Sequence, residues 1–454
     1  MNKTKHPVDS RKQIHSIKDY FVSDFERHKD EILGNSSANI REIREKAIVS
    51  FEKLGIPAGK NEEWKYSNVK KILGNDYVQA LTTVDSSLTA RDIKPFLIHR
   101  LDACIVVVEN GRFIKKVSTG MLGSGITICG FSQAIKSNFK IAEKYFSNYA
   151  DIDSDAFIAL NTAFALDGVF IFIPDGKILT KPIHIINIIN TVENLFIQPR
   201  NLFVIGASSS VQIIESFYCT ALKENNDVFT NAVTEIICGG NSNVDHYTVQ
   251  NKNGCRDAIH RVSTTQVLQE ANSVFSANTI TLNGSFIRNN LNIVHDAEGC
   301  ETHLYGLSFL KNKQHVDNHT LVDHKKPGCY SNELYINIMD DESTGVFDGK
   351  VLVRENAQKT NANQSNKNIL LSDEASVNAK PQLEIYADDV KCSHGATTGQ
   401  LDREALFYLR SRGIEEEKAR GMLIYAFASE VIKNIKIEPL RRKIGELISK
   451  RLRT

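Results

Sequence analysis

The spacing of apolar residues changes twice along this 454-residue chain, and each change marks a change in the kind of element. From Ile17 to about Ile72 the pattern is helical. Ile40, Ile43, Ala47, Phe51 and Leu54 recur at intervals of three and four, giving one apolar stripe. Gly55 and Pro57 end that helix. Residues 104–115, CIVVVENGRFIK, read as two strands about a tight turn, because Asn110 and Gly111 both tolerate the positive φ of a type I′ hairpin. A more helical piece follows from about Phe131 to Leu166. From Gly168 to about Ala396, short apolar runs such as VFIFIP, NLFVIG, VQIIES and KVLVRE alternate with Asn, Gly, Asp and Ser clusters. Such a run of short strands suits a large sandwich, a propeller or a β-solenoid, and no clean period separates the three. The frequent asparagines, among them Asn289, Asn290, Asn292, Asn366 and Asn368, fit either inward amide stacks or exposed turns. Beyond Gly413 the helical period returns: Ala419, Met422, Leu423, Ala426, Phe427 and Val431 fall on one face. Pro439 opens a further helix. The boundaries predicted are 1–160 for a mainly helical domain with a short hairpin, 161–400 for a β core and 401–454 for a C-terminal helical domain.

Composition narrows the class. Lys plus Arg (55) and Asp plus Glu (54) cancel to a net charge of +1, so no global field draws the protein to nucleic acid or anionic lipid. No apolar run approaches the roughly 18 residues of a membrane span, and the polar start lacks the h-region of a signal peptide. A cytoplasmic protein is expected. Eight cysteines (Cys104, Cys129, Cys219, Cys238, Cys255, Cys300, Cys329 and Cys392) are spread singly with no C-x-x-C pair, which argues against a zinc ribbon or a four-cysteine cluster site built from adjacent residues.

Candidate chemistry is sparse. No P-loop, G-x-S-x-G or H-E-x-x-H is present, so independent catalysis is not expected. HVDNHTLVDH, residues 315–324, would align His315, Asp317 and His319 on one strand face, as metal ligands or as a hydrogen-bonded set. In ADDVKCSHGATTGQLD, residues 387–402, an extended backbone points Cys392 and His394 the same way, about 6 to 7 Å apart. A thiolate and an imidazole suit iron or an iron-sulfur unit, but two ligands are too few to hold a cluster without a partner's help. The alternative has Gly395 turning the chain out of the β region while Cys392 packs inward.

ADDVKCSHGATTGQLD, LFYLRSRGI and ARGMLIYAFASEVI together resemble the C-terminal signature of the SufD family, subunits of the SufBCD iron-sulfur assembly complex. HLYGLSFL, GVFDGKVLVRENAQKTNANQSN and the N-terminal NEEWKYSNVKKI extend the likeness from about residue 40 onward. Gly395 stands where the paralogous SufB has an acidic residue, which favours SufD. The resemblance implies a right-handed parallel β-helix flanked by helical domains. It implies a non-catalytic scaffold that pairs with SufB and docks the ABC-type ATPase SufC, with Arg410, Arg412, Gly413, Met422, Phe427 and Glu430 as docking candidates. It further implies that His394, together with Cys392, serves nascent cluster assembly at the SufB-SufD interface. Iron or a transient iron-sulfur cluster would be shared with the partner, with no cofactor held permanently and a homodimer possible for the isolated chain. Three rival readings stand beside it: a structural stabiliser without a ligand role, a SufB-type subunit, and a carbohydrate-acting β-helix enzyme, against which stands the place of the Asp388-Asp389 pair beside the matched motif.

Overall fold

The computed structural model describes residues 16–34, 36–74, 76–81, 86–120, 123–137, 140–222, 226–251 and 258–452. Cys255 and the polar start lie outside them. The chain runs helical, then β, then helical, around a β-solenoid of about seven turns. From Arg200–Ile205 onward successive strands alternate between two sheets, and each but the last two pairs in parallel with the strand two places on. Glu301 faces Tyr330 and Tyr330 faces Asn361, so one coil takes about thirty residues.

Alternation along each strand sends one face to the solenoid interior and one outward. Phe203, Ile236, Val267, Ile293, Leu304, Val322 and Phe347 fill the interior. The outward faces are covered from both ends of the chain. Phe21, Phe25, Phe51, Trp64 and Phe164 of the N-terminal segments pack on Phe196, Phe229, Val262 and Phe286 of one sheet. Ile424, Ala428, Val431, Ile444 and Ile448 of the C-terminal helices pack on Tyr247, Phe309, Ile336 and Ile338 of the other. Each fully buried Phe contributes about 1.5 to 3 kcal/mol.

Several sequence expectations take definite form. The helix Ala38–Leu54 ends at Gly55, whose φ is 66°. The hairpin joins Cys104–Glu109 to Arg112–Phe113 through Asn110 (φ 48°) and Gly111 (φ 81°). Asparagines serve both predicted uses. Asn289 donates to Asn318 on the next coil at 2.9 Å and Asn337 to Asn368 at 2.8 Å, whereas Asn241, Asn272 and Asn312 hold positive φ in turns. Trp64 is 3% exposed and stacks on Phe157 of the helix Ala156–Phe164.

The expected stripe on the C-terminal helix Glu416–Ile432 needs correction. Ala419, Ile424, Ala428, Val431 and Ile432 are buried, while Met422 and Ala426 face solvent. Apolar residues surround this helix, so spacing alone does not choose the packed face. Among the described residues no helix is long and apolar enough to cross a membrane.

The two ends of the solenoid differ. Short antiparallel strands lie at its N-terminal end, with Thr127–Gly130 against Val169–Ile173 and Arg112–Phe113 against Cys104–Glu109. At the other end, Ser376–Ile385 and Lys391–Gly399 are the last strands of their sheets. Among the described residues each pairs on one side only, leaving an open strand edge.

Candidate functional site

Cys392 and His394 lie on that last strand, Lys391–Gly399. Gly395 sits within the strand, opposite Ser365, and does not turn the chain out of the sheet. Register fixes where the two side chains go. Leu304, Glu333, Gln364 and His394 stack on successive coils, as do Thr302, Ser331, Ala362 and Cys392. Leu304 is an interior residue, so His394 continues an interior column, yet it is exposed because no further coil covers it. It stands at the mouth of the solenoid.

The column beneath His394 is polar. Gln364 is buried and donates its amide to Glu333 at 2.8 Å. Burial pushes the Glu333 carboxyl up to about 7, against weaker help to the ionised form from Thr320 and Gln364. A carboxyl that burial holds well above the ordinary carboxylate range therefore lies two coils below the exposed imidazole. Cys392 is half-buried among Val351, Val353, Ala362 and Leu383, and burial raises its thiol above the ordinary value. The expected alignment of the two residues is present, but their surroundings differ: His394 is open to an incoming group and Cys392 is partly packed.

The stretch 315–324 forms the hydrogen-bonded set. Asp317 is buried and takes Arg288 at 2.7 Å and His319 at 2.8 Å, with Ser67 donating to it at 2.5 Å. His315 lies 2.9 Å from Ser67 and 2.6 Å from Thr344. Burial alone would raise the Asp317 carboxyl, but Arg288 and His319 outweigh it and hold the group below the usual carboxylate range. Arg288 also lies 3.9 Å from the Trp64 ring and donates to the Glu63 carbonyl at 2.7 Å. These groups clamp the EWKY segment onto the sheet.

The docking candidates divide by environment. Arg410 is exposed and pairs with Glu416 at 3.1 Å, and Arg412 lies 5.2 Å from the exposed ring of Tyr408. Gly413 holds φ 84° at the turn between helices. Met422 is exposed, Phe427 packs partly against the sheet, and Glu430 accepts from Lys367 at 2.6 Å. Sequence reasoning passed over Phe407, 74% exposed on the helix Arg403–Ser411, which buries none of its residues. Its signal was available: LFYL places adjacent large apolar residues on a nine-residue helix, too short to bury every side.

The comparisons with known proteins agree with this architecture. Residues 187–427 match the family model described as SUF system FeS cluster assembly, SufBD core domain, and residues 15–185 match the SufBD protein N-terminal region. An iron-sulfur cluster assembly SufBD family protein of Synechocystis is 32% identical, over 98% of this chain and 96% of its own. The iron-sulfur cluster assembly protein SufD of Escherichia coli is 29% identical, over 88% of this chain and 90% of its own. Protein ABCI7, chloroplastic, of Arabidopsis thaliana is 26% identical, over 96% and 92%. With both family models matched in order along one solenoid and its flanking helices, the chain belongs to the SufD family within the SufBD proteins of iron-sulfur cluster assembly.

Proposed function

We propose that this chain is a non-catalytic cytoplasmic scaffold subunit that pairs with a SufB-like solenoid through its open end. In that complex it supports iron acquisition and nascent cluster formation where the two solenoids meet. The observation that carries the reading is the unpaired edge of Lys391–Gly399, with His394 exposed at the solenoid mouth. Strand edges recruit strands, and a SufB-like paralogue could supply matching ones. The imidazole of His394 would offer one nitrogen ligand to iron, with the partner completing the set. Iron and sulfide are cargo in this reading, with no resident cofactor. The exposed Phe407, Tyr408, Arg410 and Met422 form the face proposed to dock a SufC-like ATPase. Without the partner, the same edges are proposed to let two copies of the chain pair.

A stabilising role without ligation is the second reading, favoured for Cys392 by its packing against Val351 and Val353. The test is the iron and acid-labile sulfide content of the anaerobically co-purified complex with SufB and SufC, compared with His394→Ala. Loss of iron and sulfide from an intact complex is expected. Unchanged contents would leave the chain a stabiliser only.

A further inference from the structure

Two consecutive coils repeat the same sequence pattern, H-x-x-x-x-C: HDAEGC from His295 to Cys300 and HKKPGC from His324 to Cys329. His295 pairs with His324 at the ends of their strands. The two cysteines immediately precede the paired residues Glu301 and Tyr330. The coil before has Gln269 and Ser273 at the matching positions, and the coil after has Val353 and Thr360, so the pattern is confined to two layers. All four side chains are at most 1% exposed, beneath a corner turned by Gly299 (φ 70°) and Gly328 (φ 69°).

The donor atoms converge. One nitrogen from each histidine and the Cys329 sulfur lie within 4.8 Å of one another. The two Nδ1 atoms are 3.1 Å apart, close to the roughly 3.3 Å separating two nitrogens bound at about 2.0 Å in a tetrahedral centre. Both thiols are free, and both reach the Ala297 carbonyl, Cys300 at 3.2 Å and Cys329 at 3.4 Å.

The far side of each ring is held as a metal-bound imidazole's would be. His295 Nε2 lies 2.8 Å from the Thr302 hydroxyl, which gives its own proton to Gln269 Oε1. The amide of Gln269 is spent on the Ser273 and Glu301 carbonyls, so Thr302 must accept from His295 Nε2–H. That tautomer leaves a lone pair on His295 Nδ1, aimed at His324 Nδ1. His324 Nε2 in turn lies 3.0 Å from Ser331 Oγ.

We propose that His295, His324 and Cys329, with Cys300 as the fourth ligand, hold one divalent first-row transition ion, zinc or iron(II), as a structural centre joining two coils. Two thiolates and two imidazoles are a set both ions accept. Binding forms four metal–ligand bonds and releases the two thiol protons to solvent, with no change of oxidation state. The centre lies beneath a corner of the wall, three coils and two coils before the last strand, and does not depend on the role proposed for His394.

The test uses the full chain, purified anaerobically with its thiols reduced. Metal analysis of the protein as isolated separates zinc from iron. The chain is then stripped with chelator and loaded with cobalt(II) as probe. About one ion per chain is expected, with the thiolate charge-transfer and ligand-field bands of a tetrahedral site. Stripping should also lower the melting temperature. Cys329→Ser should abolish the bands, and the doubly substituted Cys392→Ser, His394→Ala chain should keep them. Thr302→Val, which touches no ion, should weaken cobalt binding about 10- to 100-fold. Wild-type protein that takes up no cobalt, or bands that persist in Cys329→Ser, would overturn the assignment. Should Cys329→Ser fail to fold, the wild-type loading and the Thr302→Val affinity still decide it.

Discussion

Glu333 shows how one buried residue ties the solenoid interior to pH. Its carboxyl is pushed up to about 7 in the fold, whereas an unfolded chain releases that proton near the ordinary carboxylate value of about 4.3. Folding stability therefore falls as pH rises between those two values and changes no further above the upper one. Glu333→Gln keeps the shape and has no proton to lose. The variant is expected to melt above the wild type at pH 8, by up to about 3 kcal/mol, with the advantage gone by pH 4. Calorimetry across that range checks it; a gap that does not vary with pH would mean that Glu333 stays neutral or finds a compensating charge. The sequence showed none of this, because Glu333 enters the interior only through its register with Leu304 and Gln364.

At the scale of elements, the last strand and the helix after it make separate claims. The Lys391 amide donates to the Thr360 carbonyl, so the amides of Cys392, His394 and Ala396 alternate to the open side. Ala396→Pro removes one outward donor without breaking a ladder bond of this chain. We expect weaker association with the SufB-like partner, seen by analytical ultracentrifugation, at an unchanged melting temperature. Undiminished association would place the interface away from this edge. On the helix Arg403–Ser411, Phe407→Ser should leave stability alone, since the ring is 74% exposed, and reduce recovery of the SufC-like ATPase in pull-downs. Full recovery would remove this helix from the docking face. The Asn110-Gly111 hairpin and the helix stop at Gly55 were legible because each needs a particular backbone conformation that few residues accept. The packed face of Glu416–Ile432 was not, because Met422 and Ala426 are apolar yet outward.

For the whole molecule, stability should be graded along the solenoid, since each coil is held by its neighbours and the last has one neighbour only. Hydrogen exchange is expected to be fastest over residues 376–399 in the isolated chain, slower toward the interior coils, and suppressed at 376–399 once a partner binds. Uniform protection in the isolated chain would mean that the end is already covered by a second copy. Strand texture revealed a β core in the sequence but no coil length, because coils of unequal length blur any period: Phe286 meets His315 29 positions on, while Thr344 meets Ser376 32 on. The same blurring hid the paired H-x-x-x-x-C corners, whose meaning depends on knowing that residues 295 and 324 are neighbours. The candidate residues Cys392 and His394 stood out in the sequence as a motif. That it is the last rung of an interior column became visible only from register.

The open end also constrains how the cell makes this protein. If the end pairs as proposed, every copy synthesised beyond the supply of such a partner would carry two unfinished strand edges, of ten and nine residues, open to strands of another copy. Surplus chains are thus expected to pair with themselves, aggregate or be degraded, so that balanced synthesis of the two subunits becomes a requirement of the fold itself.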